Sequence, residues 1–396
     1  MFGWEFPPMK SGGLGTACYD LCRGLYKEGI EVTFVVPKLP KDSKSEFVKL
    51  MGANQHVKFQ EVDSIITPYM NTKEYLEVYE HLDENMKENY GKTLFSEVHR
   101  YTKAADLITK RSDFDVIHVH DWMTYKAGIV AKEISGKPIV AHIHATEFDR
   151  TGGNPNQAIS QIEYEGLKAA DLIIANSNYT KNNVIKVYNI NPDKIKVVHW
   201  GIDENNPAYN TNEVSPFKDE KTVLFLGRVT LQKGPEYFVK AAENVIKYVP
   251  NVKFIFAGSG DMFPRIVNEV ADRNLSDKFV FTGFLKGDDV HRAFQMADLY
   301  VMPSVSEPFG LVALESLKNN TPILISKQSG VSEVVTNAFK VDFWDVEEMT
   351  NKIVSFLSYP SLSYELKKNG FEESKKFNLA EPAKKCIDCY NEVIEW

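Results

Sequence analysis

Cysteine is scarce in this 396-residue chain: four residues, Cys18, Cys22, Cys386 and Cys389, form two close pairs near the two ends. So sparse a set excludes a disulfide-scaffolded secreted domain. Both pairs lie in helical, partly apolar stretches without turn residues, so packed reduced thiols are expected rather than a zinc site. Positive charge is in deficit: 46 Lys and Arg against 54 Asp and Glu leave −8, and no basic run exceeds a few residues. That excludes a nucleic-acid stripe and a patch for anionic membrane. No apolar run is long enough for a membrane span and no amino-terminal stretch has the form of a secretory signal, so a cytoplasmic protein is expected. Low-complexity tracts and solenoid-period repeats are missing too.

What is present suits globular packing. Apolar residues at 43% and charged residues at 25% are enough for buried cores. A chain of this length exceeds one ordinary core, so two domains of roughly 200 residues are expected. The pattern alternates strand and helix almost throughout. Residues 30–37, 114–120, 137–144, 171–175 and 194–198 read as strands, with helices over 157–169 and 177–188. Residues 38–110 are less regular and show no recognisable chemistry. A polar run over 199–220 reads as a linker. The alternation then restarts with strands over 222–227, 252–257, 278–282, 298–303 and 322–325, and three helical stretches close the chain. The fold class expected is α/β: two doubly wound Rossmann-like domains facing a cleft. The boundaries expected are 1–200, joined by a returning carboxy-terminal helix at about 380–396, and 201–379.

In such sheets ligands bind beyond the carboxyl ends of the strands, so the strand-end residues are the candidates. The chain is organised around Ser306-Glu307-Pro308-Phe309-Gly310-Leu311-Val312-Ala313-Leu314-Glu315. One carboxylate lies in the turn after a strand and the other inside the next helix. The amides of Phe309, Gly310 and Leu311 open that helix, where an anion is favoured. Two readings stand side by side: a pocket for a phosphorylated, hydroxyl-rich ligand, or an ordinary turn whose acids favour the helix dipole. Lys10-Ser11-Gly12-Gly13-Leu14-Gly15 places a cation and glycines at another strand-to-helix turn, a phosphate cradle or simply a turn. Arg228 and Lys233 share the loop after residue 227, on the same sheet edge as Glu307 and Glu315. A diphosphate would satisfy both cations, Arg228 bidentately and Lys233 as a point charge; solvated surface cations are the plainer alternative. Glu5, Asp121, His144 and Glu147 also end strands. His144, followed by a polar loop, is read as functional, whereas His118, His120 and His142 are read as lone core histidines.

Taken together these residues resemble the retaining glycosyltransferases of the GT-B fold, of the family-4 type, and most nearly glycogen and starch synthases. Lys10 through Leu14 is similar to their Lys-x-Gly-Gly-Leu loop. Gly227-Arg228 through Lys233-Gly234 is similar to their phosphate-binding pair. Glu307 and Glu315, with seven residues between them, match an E-x7-E pattern. His144 matches a histidine at the donor cleft, and His118-Val119-His120-Asp121-Trp122 resembles a His-x-His-Asp-Trp segment. The resemblance implies transfer of a sugar, most simply glucose, from UDP- or ADP-glucose to a saccharide or glucan acceptor, with retention of configuration and neither metal nor cofactor. Arg228 and Lys233 would neutralise the leaving diphosphate, with Lys10, Gly12 and Gly13 nearby. Glu315 would hold the ribose, and Glu307 with Phe309, Gly310 and Leu311 the sugar. Gly258 and Leu285 would approach the base, His144 would line the reacting face, and Asp121 and Glu5 would border the acceptor path. Departures are a short first strand, an unmatched stretch over 38–110, and a differing loop over 146–153. A nucleotide-sugar epimerase, a pyridoxal-phosphate glycan phosphorylase and a non-catalytic sugar-nucleotide sensor are the alternatives on such a fold.

Overall fold

The structure is a computed structural model describing residues 1–4, 6, 13–36, 57–61, 80, 93–203, 206–210, 213, 215–217 and 219–394. The chain divides into two compact units: Met1–Glu147 with Asn156–Trp200 and Leu379–Trp396, and Phe148–Pro155 with Gly201–Asn378. No helix among the described residues is long and apolar enough to cross a membrane.

The first unit is a parallel sheet of β1 (Val32–Val36), β2 (Val57–Glu61), β3 (Ile117–His120), β4 (Ile139–Ile143), β5 (Leu172–Ala175) and β6 (Ile195–Val197). The strands run β1-β2 in one ladder and β3-β4-β5-β6 in another. Phe2 joins the ladders by bridging to both Val35 and Val119. Its amide donates to His118 O at 2.8 Å and its carbonyl accepts from His120 N at 3.1 Å. Counting Phe2 as the first strand, the order is 3-2-1-4-5-6-7, the doubly wound 3-2-1-4-5-6 order of dinucleotide-binding sheets extended by one strand. Around the sheet lie α1 (Gly13–Lys27), α2 (Leu94–Lys110), α3 (Trp122–Ser135), α5 (Gln157–Ala169) and α6 (Asn178–Tyr188), while the short α4 (Glu147–Thr151), all but its first residue, groups with the second unit. Buried runs with no polar alternation, such as Ile139–Ile143, mark strands covered on both faces.

The second unit repeats the plan. Its strands are β7 (Lys221–Leu226), β8 (Val252–Ala257), β9 (Phe279–Gly283), β10 (Leu299–Met302), β11 (Ile323–Ser326) and β12 (Phe339–Val341). They pair in the order β12-β11-β10-β7-β8-β9, again 3-2-1-4-5-6 counted from β7. Its helices are α7 (Pro235–Ile246), α8 (Phe263–Asp272), α9 (Asp288–Met296), α10 (Leu311–Lys318), α11 (Val346–Ser358) and α12 (Pro360–Ser374). One sheet face meets α7 through fully buried phenylalanines: Phe225 stacks on Phe256 at 4.5 Å, and Phe238 meets Phe254 edge-on at 5.7 Å.

The last helix, α13 (Ala380–Ile394), belongs to the first unit and packs on α1. Gly24 makes that approach possible, because a Cβ there would lie 2.7 Å from Leu379 O and 2.8 Å from Ala383 Cβ. The four cysteines are buried free thiols on these two helices. Burial pushes the Cys22 thiol up to about 12 and the Cys389 thiol up to about 11, which keeps both protonated and unreactive.

Three elements differ from the sequence expectation, the first being β2, a strand inside the stretch 38–110 that reads as less regular. Residues 147–151 form the helix α4 where a loop is expected, its five residues being too few to show a period. Residues 339–341 form β12, an edge strand too short to show strand alternation.

Candidate active site

In a 3-2-1-4-5-6 sheet the connections from strands 1 and 4 leave in opposite directions and open a crevice at their carboxyl ends. In the second unit those strands are β7 and β10. The loop after β7 carries Arg228 and Lys233, and the loop after β10 carries Glu307. Lys233 Nζ forms an ion pair with Glu307 Oε2, with both side chains largely buried. Ser304 Oγ donates to the same carboxylate oxygen at 3.1 Å. Arg228 Nη2 donates to Gln232 Oε1 at 3.3 Å. The sequence reading set Lys233 against a diphosphate and Glu307 against a sugar as separate groups; the structure pairs them.

The Glu307 loop is pinned on both sides by backbone bonds. Val305 N donates to Gln232 O at 2.9 Å, which ties it to the cationic loop. Glu307 N donates to Gln328 O at 2.9 Å, and Gly330 N returns a bond to Glu307 O at 2.9 Å. A loop so held is rigid enough to present a carboxylate at a defined point. Ser306 Oγ donates to Asp149 Oδ1 at 2.6 Å, bringing in the segment Phe148–Pro155 that groups with this unit.

Gly310 caps α10 with φ of 108°. A Cβ there would stand 3.0 to 3.2 Å from Val331, Met302 and Glu307 side-chain atoms, so the turn needs glycine. Phe309 is buried, while Leu311 and Glu315 are half-buried on α10. Under them Tyr300 gives its hydroxyl to Leu226 O at 3.1 Å. Burial, then the negative charges of Glu307 and Glu315, hold that phenol well above its ordinary range. Both carboxylates therefore act on one buried ring. Gly258, at φ of 147°, follows β8, where a Cβ would fall 1.9 Å from Gly227 O. Leu285, half-buried, follows β9.

In the first unit Asp121 ends β3, and His144 directly follows β4. Asp121 Oδ1 accepts the His144 backbone N–H at 2.7 Å. Asp121 holds φ of 59° and ψ of 173°, a conformation costly for a residue with a side chain. His144 is 8% exposed. His118, His120 and His142 are buried, but they are not lone core histidines. His118 Nε2 meets His142 Nδ1 at 3.2 Å, and His120 Nδ1 meets His144 Nε2 at 3.0 Å. The reason is register: β3 and β4 run parallel with His120 opposite His142, so residues two apart on each strand share one face. Gly13 opens α1 and is exposed, and Glu147 opens α4. Lys10, Gly12 and Glu5 lie outside the described residues. Sequence reasoning missed Gln232, Ser304 and the Ser306–Asp149 contact. The one clue in the sequence was a polar residue, Gln232, beside Lys233 in the cationic loop; its burial is visible only in the structure.

Comparison with known proteins identifies the family and the fold. Residues 11–206 match the family model described as Glycosyltransferase Family 4, and residues 210–373 match Glycosyl transferases group 1. An uncharacterized glycosyltransferase of Methanocaldococcus jannaschii is 33% identical over 349 residues, covering 85% of this chain and 82% of that protein. A glycogen synthase of Mycobacterium tuberculosis is 25% identical over 345 residues, covering 85% of this chain and 80% of that protein. The solved sucrose-phosphate synthase from Thermosynechococcus elongatus superposes with a TM-score of 0.77 at 20% identity, over 100% of this chain and 98% of that one. With two parallel Rossmann-like sheets and these matches over nearly its whole length, the chain belongs to the GT-B glycosyltransferases of the family-4 type, an enzyme family in which it resembles glycogen synthases.

Proposed function

We propose that this glycosyltransferase moves a hexose, glucose by its resemblance to glycogen synthases, from UDP- or ADP-sugar to a saccharide acceptor with retention of anomeric configuration. The observation that carries the reading is the charge layout at the β7/β10 crevice: Arg228, Lys233, Glu307 and Glu315 gathered around two loops that are laced together. In this reading Arg228 and Lys233 take the charge that develops on the departing diphosphate, which a metal ion would otherwise take. Glu307 already holds Lys233, so a phosphate oxygen reaching that ammonium joins an existing hydrogen-bond network. The other carboxylate oxygen of Glu307 then faces sugar hydroxyls, and Glu315 accepts from the ribose. Leu311 and Gly13, at helix N-termini, add amide donors. Gly258 and Leu285 border the base. His144 hydrogen-bonds the sugar, and Asp121, with Lys10, Gly12 and Glu5 from the first connection, completes the list of participants. Positioning and charge neutralisation thus supply the catalysis, with no base assigned.

The test is release of UDP or ADP from UDP-glucose or ADP-glucose in the presence of oligosaccharide acceptors and excess EDTA. Acceptor-dependent release that survives chelation, with an α-linked product, is expected. Isomerised sugar without glycoside would mean epimerisation instead. Donor binding with no turnover across the acceptor set would mean a sensor.

A further inference from the structure

The four histidines of β3 and β4 form a block two rings wide and two rings deep. His118 with His142, and His120 with His144, meet edge to edge through ring nitrogens at 3.2 and 3.0 Å. The pairs stack, His118 on His120 with centroids 4.3 Å apart and His142 on His144 at 4.6 Å. Trp200 lies flat against His142 at 5.0 Å and His144 at 5.4 Å. Tyr390 of α13 closes one end through its hydroxyl, 2.7 Å from His118 Nδ1. Cys18 of α1 completes a second close group with His120 and His144.

Close nitrogens suggest a metal site, but the ring directions do not. Within each pair the two nitrogens face each other directly, too close for an ion to sit between them at the roughly 2.0–2.1 Å that a tetrahedral site needs with its ligands spread around it. Head-on contacts at 3.0 and 3.2 Å are hydrogen-bond distances. Burial, first of all, drives every one of the four rings toward the neutral form. Each neutral ring carries one proton, so each N–H···N contact dictates which nitrogen of its neighbour is bare.

The orphaned atoms settle the direction. Among the described residues His120 Nε2 and His142 Nε2 are buried without a hydrogen-bond partner. An orphaned N–H is among the rarest defects of a protein interior, so the protons sit instead on His120 Nδ1 and His142 Nδ1, where each has an acceptor. His120 then donates to His144 Nε2. His144 keeps its own proton on Nδ1, the nitrogen to which no hydrogen bond is assigned among the described residues.

We propose that His120 is a positioning residue that locks His144 as the Nδ1–H tautomer, so that His144 offers a hydrogen-bond donor, not an acceptor, to an oxygen of the sugar donor. The contact with sugar rests on the proposed function; the tautomer does not. Asp121 fixes the His144 backbone and Trp200 fixes its ring plane, so the proton is the remaining variable.

The experiment is long-range 15N–1H NMR of the full chain carrying 15N-histidine at pH 8, with His144 assigned by the peaks lost in His144→Gln. The expected spectrum shows Nδ1 protonated and Nε2 bare. His120→Leu, which removes the donor at similar volume, should convert His144 to a mixture of tautomers. It should lower kcat for glucosyl transfer at least tenfold while leaving UDP or ADP affinity within twofold. His120→Asn, whose amide nitrogen stands near the Nδ1 position, should restore both tautomer and rate. A His144 protonated on Nε2 in the parent protein would overturn the lock, as would an unchanged tautomer in His120→Leu or a stoichiometric bound zinc. Unchanged turnover despite a shifted tautomer would overturn the donor role alone. If His120→Leu does not fold, the parent spectrum and His120→Asn still decide. If no nucleotide sugar is turned over by the parent protein, the proposed function fails while the tautomer measurement stands.

Discussion

Lys233 and Glu307 are each other's counter-charge, so neither can be removed without disturbing the other. Arg228→Ala should lower kcat/KM by about 10²–10³-fold, the scale of a lost transition-state donor. Lys233→Ala should do the same and also leave the Glu307 carboxylate with Ser304 as its remaining assigned donor. The Lys233→Ala and Glu307→Gln changes are therefore predicted to be non-additive, with a coupling of roughly 0.5–3 kcal/mol in a double-mutant cycle read from kcat/KM. Additive losses would mean the two groups act separately. At Gly310 the argument is backbone and space together. Gly310→Ala forces a side chain onto φ of 108° with three neighbours at 3.0 to 3.2 Å. A loss of about 1–3 kcal/mol is expected, measured by urea unfolding. Turnover should fall with it, because the capped turn carries Glu307. Wild-type stability in that variant would show that the turn has another conformation open to it.

At the scale of the element, the β3–β4 face couples fold stability to pH. The four histidines are held below their usual range by burial first, with mutual repulsion added for His118, His120 and His142. Above about pH 6.5 they are neutral in both folded and unfolded chains and have no effect on the slope. Below it the unfolded chain takes up protons that the folded chain refuses, so stability falls as pH falls toward the folded-state values. Each histidine contributes a slope of up to about 1.4 kcal/mol per pH unit in that window. Melting temperature should therefore drop steeply from pH 6.5 to 5, and the drop should soften in His142→Phe, which keeps the stack with Trp200 and removes one proton site. A flat profile would mean that the block is hydrated and charges in place. The paired phenylalanines of the second unit are the complementary element: Phe238→Ala should cost about 3–5 kcal/mol, since its site is fully buried and lined by other rings.

At the scale of the whole molecule, the carboxy-terminal helix determines which unit a truncation harms. α13 belongs to the first unit and buries Ala383, Cys386, Cys389 and Tyr390 there. Ending the chain at residue 378 removes the Tyr390 bond to His118 and uncovers Gly24 on α1. The first unit should then lose its cooperative thermal transition while the second still binds UDP or ADP with near-native affinity. Calorimetry alongside nucleotide titration reads both. Loss of nucleotide binding together with the transition would mean that the second unit depends on the first for its fold.

The α/β class, the parallel sheets and the strand-end loops were legible in the sequence because strand–helix alternation and buried apolar runs are local patterns. So was the placing of Arg228, Lys233 and Glu307 on one sheet edge, because each follows a strand, and parallel strands of one sheet end together. Partnership was not legible. That Lys233 pairs with Glu307 follows from β7 and β10 being neighbours in a 3-2-1-4-5-6 sheet, which no residue announces. That four histidines form a block, rather than sitting singly in a core, follows from the register of His120 opposite His142. That a single residue, Phe2, completes a sheet follows from bonds to both β1 and β3. Periodicity along the chain determines which residues are buried and which stand at strand ends. Which of them touch is decided across the chain, by strand order and register, because those contacts join residues tens to hundreds of positions apart.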